Sequence, residues 1–330
     1  MAKYMTDTIN LTSVADAIRT KGGTSAQLIY PSGFVSAIQA IQTGITPKLV
    51  VTTTPGAAIT ATPAEGFKVV KGTAGADGMC TLELPKAGTW HVTAMANSVS
   101  NSQNIVIGTQ NMLLPLYHDT FANNTWEEII TVCRTGIAPD SWAVGDSKTM
   151  NIGGTAYQVD IIGKNHDEYA DGSGTAPLTF QLHDCYSEAK QMYSTNLSGL
   201  GWKNTDMRLT YLPAILALMP AEVQNGIRAV NKKTSEGGNS TTIETVSDTL
   251  FLLSEVEIFG TASSSVSGEG SQYDYYKAGN PKIKKREGVD EFWWERSSAS
   301  GGMFCRVRAN GQAGASNASN SLGVSFAFCF

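Results

Sequence analysis

The chain has 330 residues, of which 42% are hydrophobic and 16% are charged, and it contains 33 glycines. Few charges combined with much Gly, Ser and Thr favour a β-rich, loop-rich extracellular or structural protein over a helical cytoplasmic enzyme. The net charge is only −5, and no basic run is longer than KIKKR at 282–286. Nucleic-acid binding would need a concentrated basic surface, so we expect none and interpret this run as a solvated loop or edge strand.

No segment approaches the roughly 18 consecutive apolar residues of a membrane helix, so we expect no membrane insertion. The N-terminal MAKYMTDTIN has no apolar stretch of the kind that directs secretion, which indicates a protein made in a cytosol. The cysteines are spread widely and lack CxxC spacing, which argues against a zinc site or a disulfide framework. We expect five reduced, mostly buried thiols, with a Cys305–Cys329 disulfide as the alternative.

Residues 1–44 are predicted to form a small helical unit. LTSVADAIRTKGG spaces its apolar residues along one helix face before a glycine pair, and YPSGFVSAIQAIQTG repeats the scheme. In the first helix these residues are Leu11, Val14, Ala15 and Ile18; in the second they are Phe34, Ile38 and Ile41. So few apolar side chains cannot build a core, and we expect the unit to pack on a partner or on a copy of itself.

Residues 46–117 contain seven short, β-branched segments separated by turn signals, which predicts a β-sandwich. The segments are KLVVTTT, AAITAT, FKVVKGT, CTLELP, TWHVTAMA, QNIVIG and NMLLPLY. Within the fifth, Trp90, Val92 and Ala94 alternate with polar residues and should face the core. His91 is then an exposed side chain and not a ligand.

Residues 118–330 mix helical and strand patterns without alternation, which predicts an α+β domain. TWEEIITVCRTG is an amphipathic helix with a capping box of Thr125 and Glu128, and a hairpin turns at Gly153-Gly154. A helical stretch follows, broken near Pro213 and Pro220. Residues 250–253 are predicted to form an apolar strand before a short amphipathic turn.

The last segments, EFWWERS, MFCRVRANG and GVSFAFCF, are strand-like. In the second, Arg306, Arg308 and Asn310 should share one face, and in the third, Val324, Phe326 and Phe328 should alternate with smaller residues in a half-buried strand. Between them, QAGASNASNSL is predicted to be an irregular loop, and residues 297–330 contain no Asp, Glu or Lys. Loops held by rigid strands often carry recognition, and Ser, Gly and Asn are adaptable binding residues. We expect a binding surface here; a solvated hairpin loop is the alternative.

The sequence indicates no catalytic apparatus and no cofactor. GxSxG, HExxH, P-loop and helix-opening GxGxxG motifs are missing from the sequence. The cluster NHDEYADGSGT, with His166, Asp167, Glu168 and Asp171, does not follow the EF-hand pattern. We interpret it as a polar surface loop, with a metal site as the alternative. QLHDCY places His183, Asp184 and Cys185 next to one another, where strand geometry points neighbours to opposite faces.

Six segments resemble, in the same order, a phage and prophage tail-module family with a C-type-lectin-like fold. They are TWEEIITVCRTG, YQVDIIG, TFQLHD, TLFLLSEVEIFG, FWWERS and GVSFAFCF, and the resemblance covers roughly 120–330. VADAIRTKGGTSAQLIYPSGFVSAIQAI is similar to a segment of tail proteins from phages of Gram-positive bacteria. The middle region resembles Ig-like or carboxypeptidase-regulatory spacers. The resemblance implies tail attachment or oligomerisation for 1–44, a spacer for 46–117 and ligand binding for 118–330.

The chain's end also resembles the variable region of diversity-generating retroelement targets, such as phage tropism determinants. In that class, adenines in Asn codons are miscopied, and a constant lectin-like scaffold displays the changing side chains on one face. The resemblance implies a variable region at about 293–330, in which Trp293, Trp294 and Arg296 match the scaffold motif. Met303 departs from the residues that such copying readily gives. The implied ligand-binding residues are Ser298, Ser300, Met303, Arg306, Arg308, Asn310, Gln312, Gly314, Ser316, Asn317, Asn320 and Leu322.

The resemblance therefore implies a phage receptor-binding protein or tail adhesin that is not an enzyme. Its expected partners are a bacterial cell-surface protein or glycan, other tail proteins and two further copies of itself in a homotrimer. Its expected location is the virion, after synthesis in the host cytoplasm. Two alternatives remain. One is an enzyme like the formylglycine-generating enzymes that share the fold, for which Cys305 and Cys329 would be needed. The other is a purely structural tail or capsid decoration protein.

Overall fold

The computed structural model describes residues 8–22, 27–28, 47–64, 66–107, 110–238 and 240–330. The chain divides into two compact units, 1–117 and 118–330. β-Sheets dominate and helices are few, so the predicted α+β class is confirmed. In these described ranges, no helix combines the length and the apolar character needed to span a membrane.

Helix α1 (Thr8–Gly22) is the first element of the first unit. Ala15 and Ile18 are buried, as their spacing predicts, but Val14 is 47% exposed, so the buried face is narrower than the predicted one. The side chain of Leu11 and the second predicted helix, with Phe34, Ile38 and Ile41, lie outside the described residues.

All seven predicted strands form between Pro47 and Tyr117, in two sheets of order β4-β1-β7 and β3-β2-β5-β6. Buried side chains from both sheets form one core, so the predicted sandwich is confirmed. Trp90, Val92 and Ala94 lie in that core, whereas His91 is exposed and its Nδ1 lies 2.8 Å from Oδ1 of Asn104. The strands are β1 (Lys48–Thr52), β2 (Ala58–Pro63), β3 (Val70–Thr73), β4 (Met79–Glu83), β5 (Gly88–Ala96), β6 (Val99–Ile107) and β7 (Gln110–Leu113).

The second unit contains short helices and eleven strands within its described residues. The helices are α2 (Trp126–Arg134), α3 (Leu212–Leu216), α4 (Ala221–Gly226), α5 (Glu255–Phe259) and α6 (Asp274–Lys277). The strands are β8 (Ser147–Ile152), β9 (Thr155–Lys164), β10 (Leu178–Leu182), β11 (Val230–Ser235), β12 (Ile243–Asp248), β13 (Lys284–Arg286), β14 (Val289–Glu291), β15 (Trp293–Ser298), β16 (Met303–Val307), β17 (Ala313–Asn317) and β18 (Ala327–Cys329). The sheets are β18-β10-β9-β8, β15-β16-β17, and the pairs β11-β12 and β13-β14.

Most local sequence signals in this unit are realised as predicted. The Thr125 side chain accepts from the N–H of Glu128, whose carboxylate accepts from the N–H of Thr125, so the capping box caps α2. Gly153 and Gly154 have φ of 58° and 89°, the left-handed values that a two-residue turn between β8 and β9 needs. The predicted break near Pro213 does not form, because a π-helical turn at 207–211 leads directly into α3, but the break near Pro220 is confirmed, since the backbone is extended at Pro220 before α4 begins.

The predicted strand at 250–253 is wrong. β12 already ends at Asp248, and Phe251 makes only an isolated bridge with Ala327, through N–H to carbonyl contacts of 3.0 and 2.7 Å. The segment is extended and buried on all sides, because it runs through the core between β12 and α5. An apolar run of this length looks the same in a sequence whether or not it has strand partners.

Two predictions for the tail are also wrong. GVSFAFCF is not half-buried: Val324, Ser325, Phe326 and Phe328 are all inaccessible, and only 327–329 form strand β18. Alternate side chains of this segment are covered on both faces, because Phe328 packs on Phe180 and Cys329 contacts Asp167 and Thr179. QAGASNASNSL is not a loop throughout, because residues 313–317 form β17 and complete a three-stranded sheet.

All five cysteines are free and buried, which confirms the expected reduced thiols and excludes the Cys305–Cys329 disulfide.

Candidate functional site

The candidate site is the hairpin of β16 and β17, with the segments that flank it. Cys305 pairs with Ala315 and Arg306 with Gly314, and β15 pairs with the other edge of β16. A tight turn joins the two strands, in which Arg308 donates its N–H to the carbonyl of Gln312 at 2.7 Å. The predicted face of 306, 308 and 310 therefore ends at Arg308, since Asn310 already lies in the turn.

Ten of the twelve candidate ligand-binding residues are exposed or partly exposed. Ser298 and Gly314 are buried and cannot contact a ligand, which corrects the prediction for these two positions. Ser298 is the last residue of β15, opposite Phe304, and its hydroxyl has no hydrogen-bond partner within the described part of the chain. The exposed members are Ser300, Met303, Arg306, Arg308, Asn310, Gln312, Ser316, Asn317, Asn320 and Leu322.

The candidates do not share a single face. Directly paired residues of an antiparallel sheet point to the same side, and Met303 pairs with Asn317 whereas Arg306 pairs with Gly314. Arg306 and Met303 are an odd number of residues apart, so they point to opposite sides. The hairpin thus presents one surface around Arg306 and the turn, and another at its open end.

The surface near the turn is built on two arginines. The Arg306 guanidinium stacks on the ring of Phe292 at 4.2 Å, and its Nε donates to the carbonyl of Ala315 at 3.1 Å. Gly314 has no side chain, and the Arg308 Nε occupies that space, 2.8 Å from where a Cβ would be. Burial and the charge of Arg308 lower the pKa of Arg306, so the two cations are close enough to repel.

The segment before β13 borders this turn. A Cβ on Gly311 would lie 3.3 Å from Cγ1 of Ile283 and 3.8 Å from Cβ of Lys282. KIKKR is predicted to be a solvated loop or edge strand, and part of it is a strand, since 284–286 form β13. Lys284 differs from the prediction because it is buried and donates to the carbonyls of Leu182 and His183.

The surface at the open end is joined to residues 190–196. Gln191 donates its side-chain amide to the carbonyl of Ser319 at 2.6 Å, and Ser319 contacts the side chain of Asn196. Leu322 and Lys190 exchange backbone hydrogen bonds. Ser300 and Asn320 are exposed beside these contacts, so several chain segments hold this end in place.

The scaffold residues Trp293, Trp294 and Arg296 are completely buried. The indole N–H groups of the two tryptophans donate to the carbonyls of Lys282 at 2.9 Å and Lys190 at 2.8 Å. β15 therefore fixes both segments that border the candidate surfaces.

Arg296 belongs to a buried charge network that the sequence pattern did not reveal. Its guanidinium donates to Glu257 and to the carbonyls of Leu252, Lys233 and Glu269. Lys232 contacts Glu257 at 2.8 Å and Asp167 at 2.6 Å. Burial disfavours both charges, but the opposite charges outweigh it, raising the pKa of Lys232 and lowering the pKa of Asp167 to about 2.

This network corrects the surface-loop interpretation of 165–175, because Asp167 is buried. His166 stacks on Tyr273 at 4.0 Å, and Asp171 pairs with Arg228 at 2.6 Å. Three of the four polar residues thus serve separate contacts, and the described ranges contain no group of three potential metal ligands. A cavity of about 450 Å³ lies above the network, lined by His166, Glu168, Lys233, Thr245, Gly268 and Ser271 among others.

A second buried polar group is Glu295, whose carboxylate oxygens have no hydrogen-bond partner within the described residues. Burial, together with the charges of Glu255 and Glu269, raises the pKa of Glu295 well above its usual value, so the fold favours its protonated form. Glu255 itself accepts hydrogen bonds from Ser263, Ser264 and Ser265, and these bonds stabilise its carboxylate charge.

The thiols of Cys305 and Cys329 are inaccessible, and burial raises the pKa of both. A nucleophilic cysteine needs access and a lowered pKa. Neither thiol meets these requirements.

One family comparison bears on this unit. Residues 179–330 match a family described as a domain of unknown function, DUF6273. The matched region runs from β10 to β18 and includes the hairpin, its scaffold and the charged network apart from Asp167. No curated protein and no solved structure matches the chain significantly. The residues that form the candidate site therefore lie in the part of the chain that is similar to this family.

Proposed function

We propose that the chain is a phage receptor-binding protein or tail adhesin, with a C-type-lectin-like C-terminal unit that binds a host-surface ligand. It acts without catalysis, as part of the virion tail and as a homotrimer, in which several weak contacts combine to hold a cell. The first helical segment attaches to other tail proteins, and the sandwich is a spacer. The order of the six tail-module segments supports this proposal.

The observation that carries the proposal is the contrast between the scaffold and the hairpin. The segments on either side are buried, whereas ten candidate residues on and beside the hairpin are exposed or partly exposed. A rigid base with an exposed, adaptable polar surface suits recognition by side chains that change between variants. Arginine and aromatic residues, such as Arg306 and Phe292, are also enriched where binding energy concentrates.

The test is a surface exchange that spares the buried positions. Ser300, Asn310, Gln312, Asn317 and Asn320 are replaced together, and binding of the labelled full chain to a panel of Gram-positive strains is measured by flow cytometry. We expect a changed strain profile with an unchanged melting temperature. The matched control replaces three exposed residues of β6, Ser102, Gln103 and Asn104. An unchanged profile, or binding to none of the strains, would contradict the proposal.

A further inference from the structure

Two guanidinium groups lie over the same stretch of β17. Arg306 reaches it through its Nε, which donates to the carbonyl of Ala315 at 3.1 Å. Arg308 reaches it from the turn, across the bare backbone of Gly314. Neither Nη group of Arg306 and no nitrogen of the Arg308 side chain has a hydrogen-bond partner within the described ranges. The unpaired N–H groups of the two guanidiniums therefore face outward from the turn.

Neither arginine forms an ion pair with an acid in the described part of the unit. Residues 297–330 contain no Asp or Glu. In the neighbouring hairpin, Glu291 pairs with Arg286 at 2.9 Å. Lys282 borders the turn through its Cβ, but its ammonium lies over the rings of Phe259 and Tyr276, so it does not join the two arginines.

The surroundings also suit a bound group. Phe292 is 37% exposed and Ile283 is 41% exposed, so apolar surface flanks the cations. Asn310 and Gln312 contact each other at 3.2 Å and stiffen the turn. Arg306 is held in place by Phe292 and by the carbonyl of Ala315 before any ligand arrives, which reduces the entropy cost of binding.

We propose that Arg306 and Arg308 form a site for an oxyanion, a phosphate or carboxylate group on the host-surface ligand. The planar guanidinium fork matches both groups with two parallel hydrogen bonds. An anion also relieves the repulsion between two neighbouring arginines. This inference rests on the proposed function, because it names the ligand chemistry of the surface near the turn.

The experiment measures binding of the full chain to immobilised poly(glycerol phosphate), polygalacturonate and neutral dextran. The first two probes separate a phosphodiester source from a carboxylate source. We expect binding to at least one polyanion, none to dextran, and weakening at about 0.5 M salt. The double variant Arg306→Gln/Arg308→Gln should bind about tenfold more weakly or worse, because hydrogen bonds to charged groups are lost.

Two further variants separate geometry from charge. Arg306→Lys/Arg308→Lys keeps both charges but loses the paired donors, so its binding should be intermediate. Gly314→Ala keeps every charge but places a methyl group 2.8 Å from the Arg308 Nε. The Arg308 side chain then has to move away, so binding should fall as well. Lys203→Gln and Arg228→Gln remove cations elsewhere on the unit and should bind like the original chain. Circular dichroism and melting curves confirm that each variant is folded.

The proposal is overturned if neither polyanion binds, or if the double Gln variant binds as tightly as the original. The proposed adhesin function is tested separately from the oxyanion site. If the chain binds cells and neither polyanion competes, the oxyanion site is wrong and the adhesin stands. If polyanions bind but no strain of the panel does, the oxyanion site stands and the adhesin does not.

Discussion

Arg296 and Glu257 face each other in the interior of the C-terminal unit, with Nη2 of the guanidinium 2.9 Å from Oε1 of the carboxylate. Their side chains are 0% and 2% exposed, and Lys232 approaches the same carboxylate at 2.8 Å. A buried charge that loses its partner keeps the cost of desolvation without compensation. The network therefore makes β15, β11 and α5 depend on one another.

Replacing Arg296 with Ala should lower the free energy of unfolding by about 3–5 kcal/mol, because Glu257 would lose its main partner. Chemical denaturation followed by tryptophan fluorescence measures the change; five of the six tryptophans lie in the C-terminal unit. Lys203→Ala is the control, since Lys203 forms a surface pair with Glu244 at 3.0 Å. That pair should contribute no more than about 1 kcal/mol. Equal effects of the two substitutions would contradict a structural role for the network.

Replacing Glu295 with Gln should stabilise the protein at neutral pH. The folded state raises the pKa of this carboxyl above its usual 4.5, so the folded state holds the proton more tightly than the unfolded chain. Stability is therefore lost as the pH rises from about 4.5 through the folded pKa. Gln does not titrate, so the advantage of the variant should grow with pH over that range. Denaturation curves at several pH values test this, with the exposed Glu236→Gln as control. Parallel pH profiles would show that Glu295 is not held neutral.

Replacing Asp167 with Asn should remove the loss of folding stability that the titration of Asp167 causes between about pH 4 and pH 2. The pKa of this carboxyl is about 2 in the fold, because the charge and hydrogen bond of Lys232 outweigh burial. The folded value is lowered, so the contribution is present above about pH 4 and is lost as the pH falls toward 2. The expected size is about 2 kcal/mol. Melting temperatures between pH 2 and pH 5 should flatten for Asp167→Asn and not for the exposed Asp290→Asn. If the melting temperature of Asp167→Asn falls with pH as steeply as that of the original chain, a group other than Asp167 is responsible for the acid dependence.

All five thiols should resist labelling in the folded protein, because every cysteine is buried and free. Mass spectrometry after brief treatment with iodoacetamide should find no modification under native conditions and five in denaturant. Rapid native labelling of Cys305 or Cys329 would revive the enzymatic alternative. Substituting either by Ala should then abolish a measurable activity, whereas a structural cysteine would affect only stability.

The sequence predicted those features that depend on near neighbours. The capping box at Thr125 and Glu128 needs residues three positions apart, and the turn at Gly153-Gly154 needs only two glycines with positive φ. The sandwich strands alternate because one face of each sheet meets the core. These signals are local, so they can be read without knowing the partners.

The features that were missed depend on distant partners. Arg296 pairs with a residue 39 positions away, so its burial follows from a network and not from strand alternation. β17 consists of Ala, Gly, Ser and Asn, which have low strand propensity, and it becomes a strand because β16 supplies its pairing. The buried Ser298 and Gly314 belong to the same class, since polar or small composition alone does not reveal what covers a residue.

The β16–β17 register joins Met303 through Val307 to Asn317 through Ala313, and this pairing runs through the main chain. The side chains of Phe304, Cys305 and Val307 are buried, the first on the side of Arg306 and the other two on the opposite side, so substitutions there should be costly. The exposed side chains have no such packing role. A gene encoding this unit could accumulate changes at those codons one at a time, and each intermediate protein would still fold. Because different residues provide the packing and the exposed surface, the surface can evolve without a loss of stability at every step.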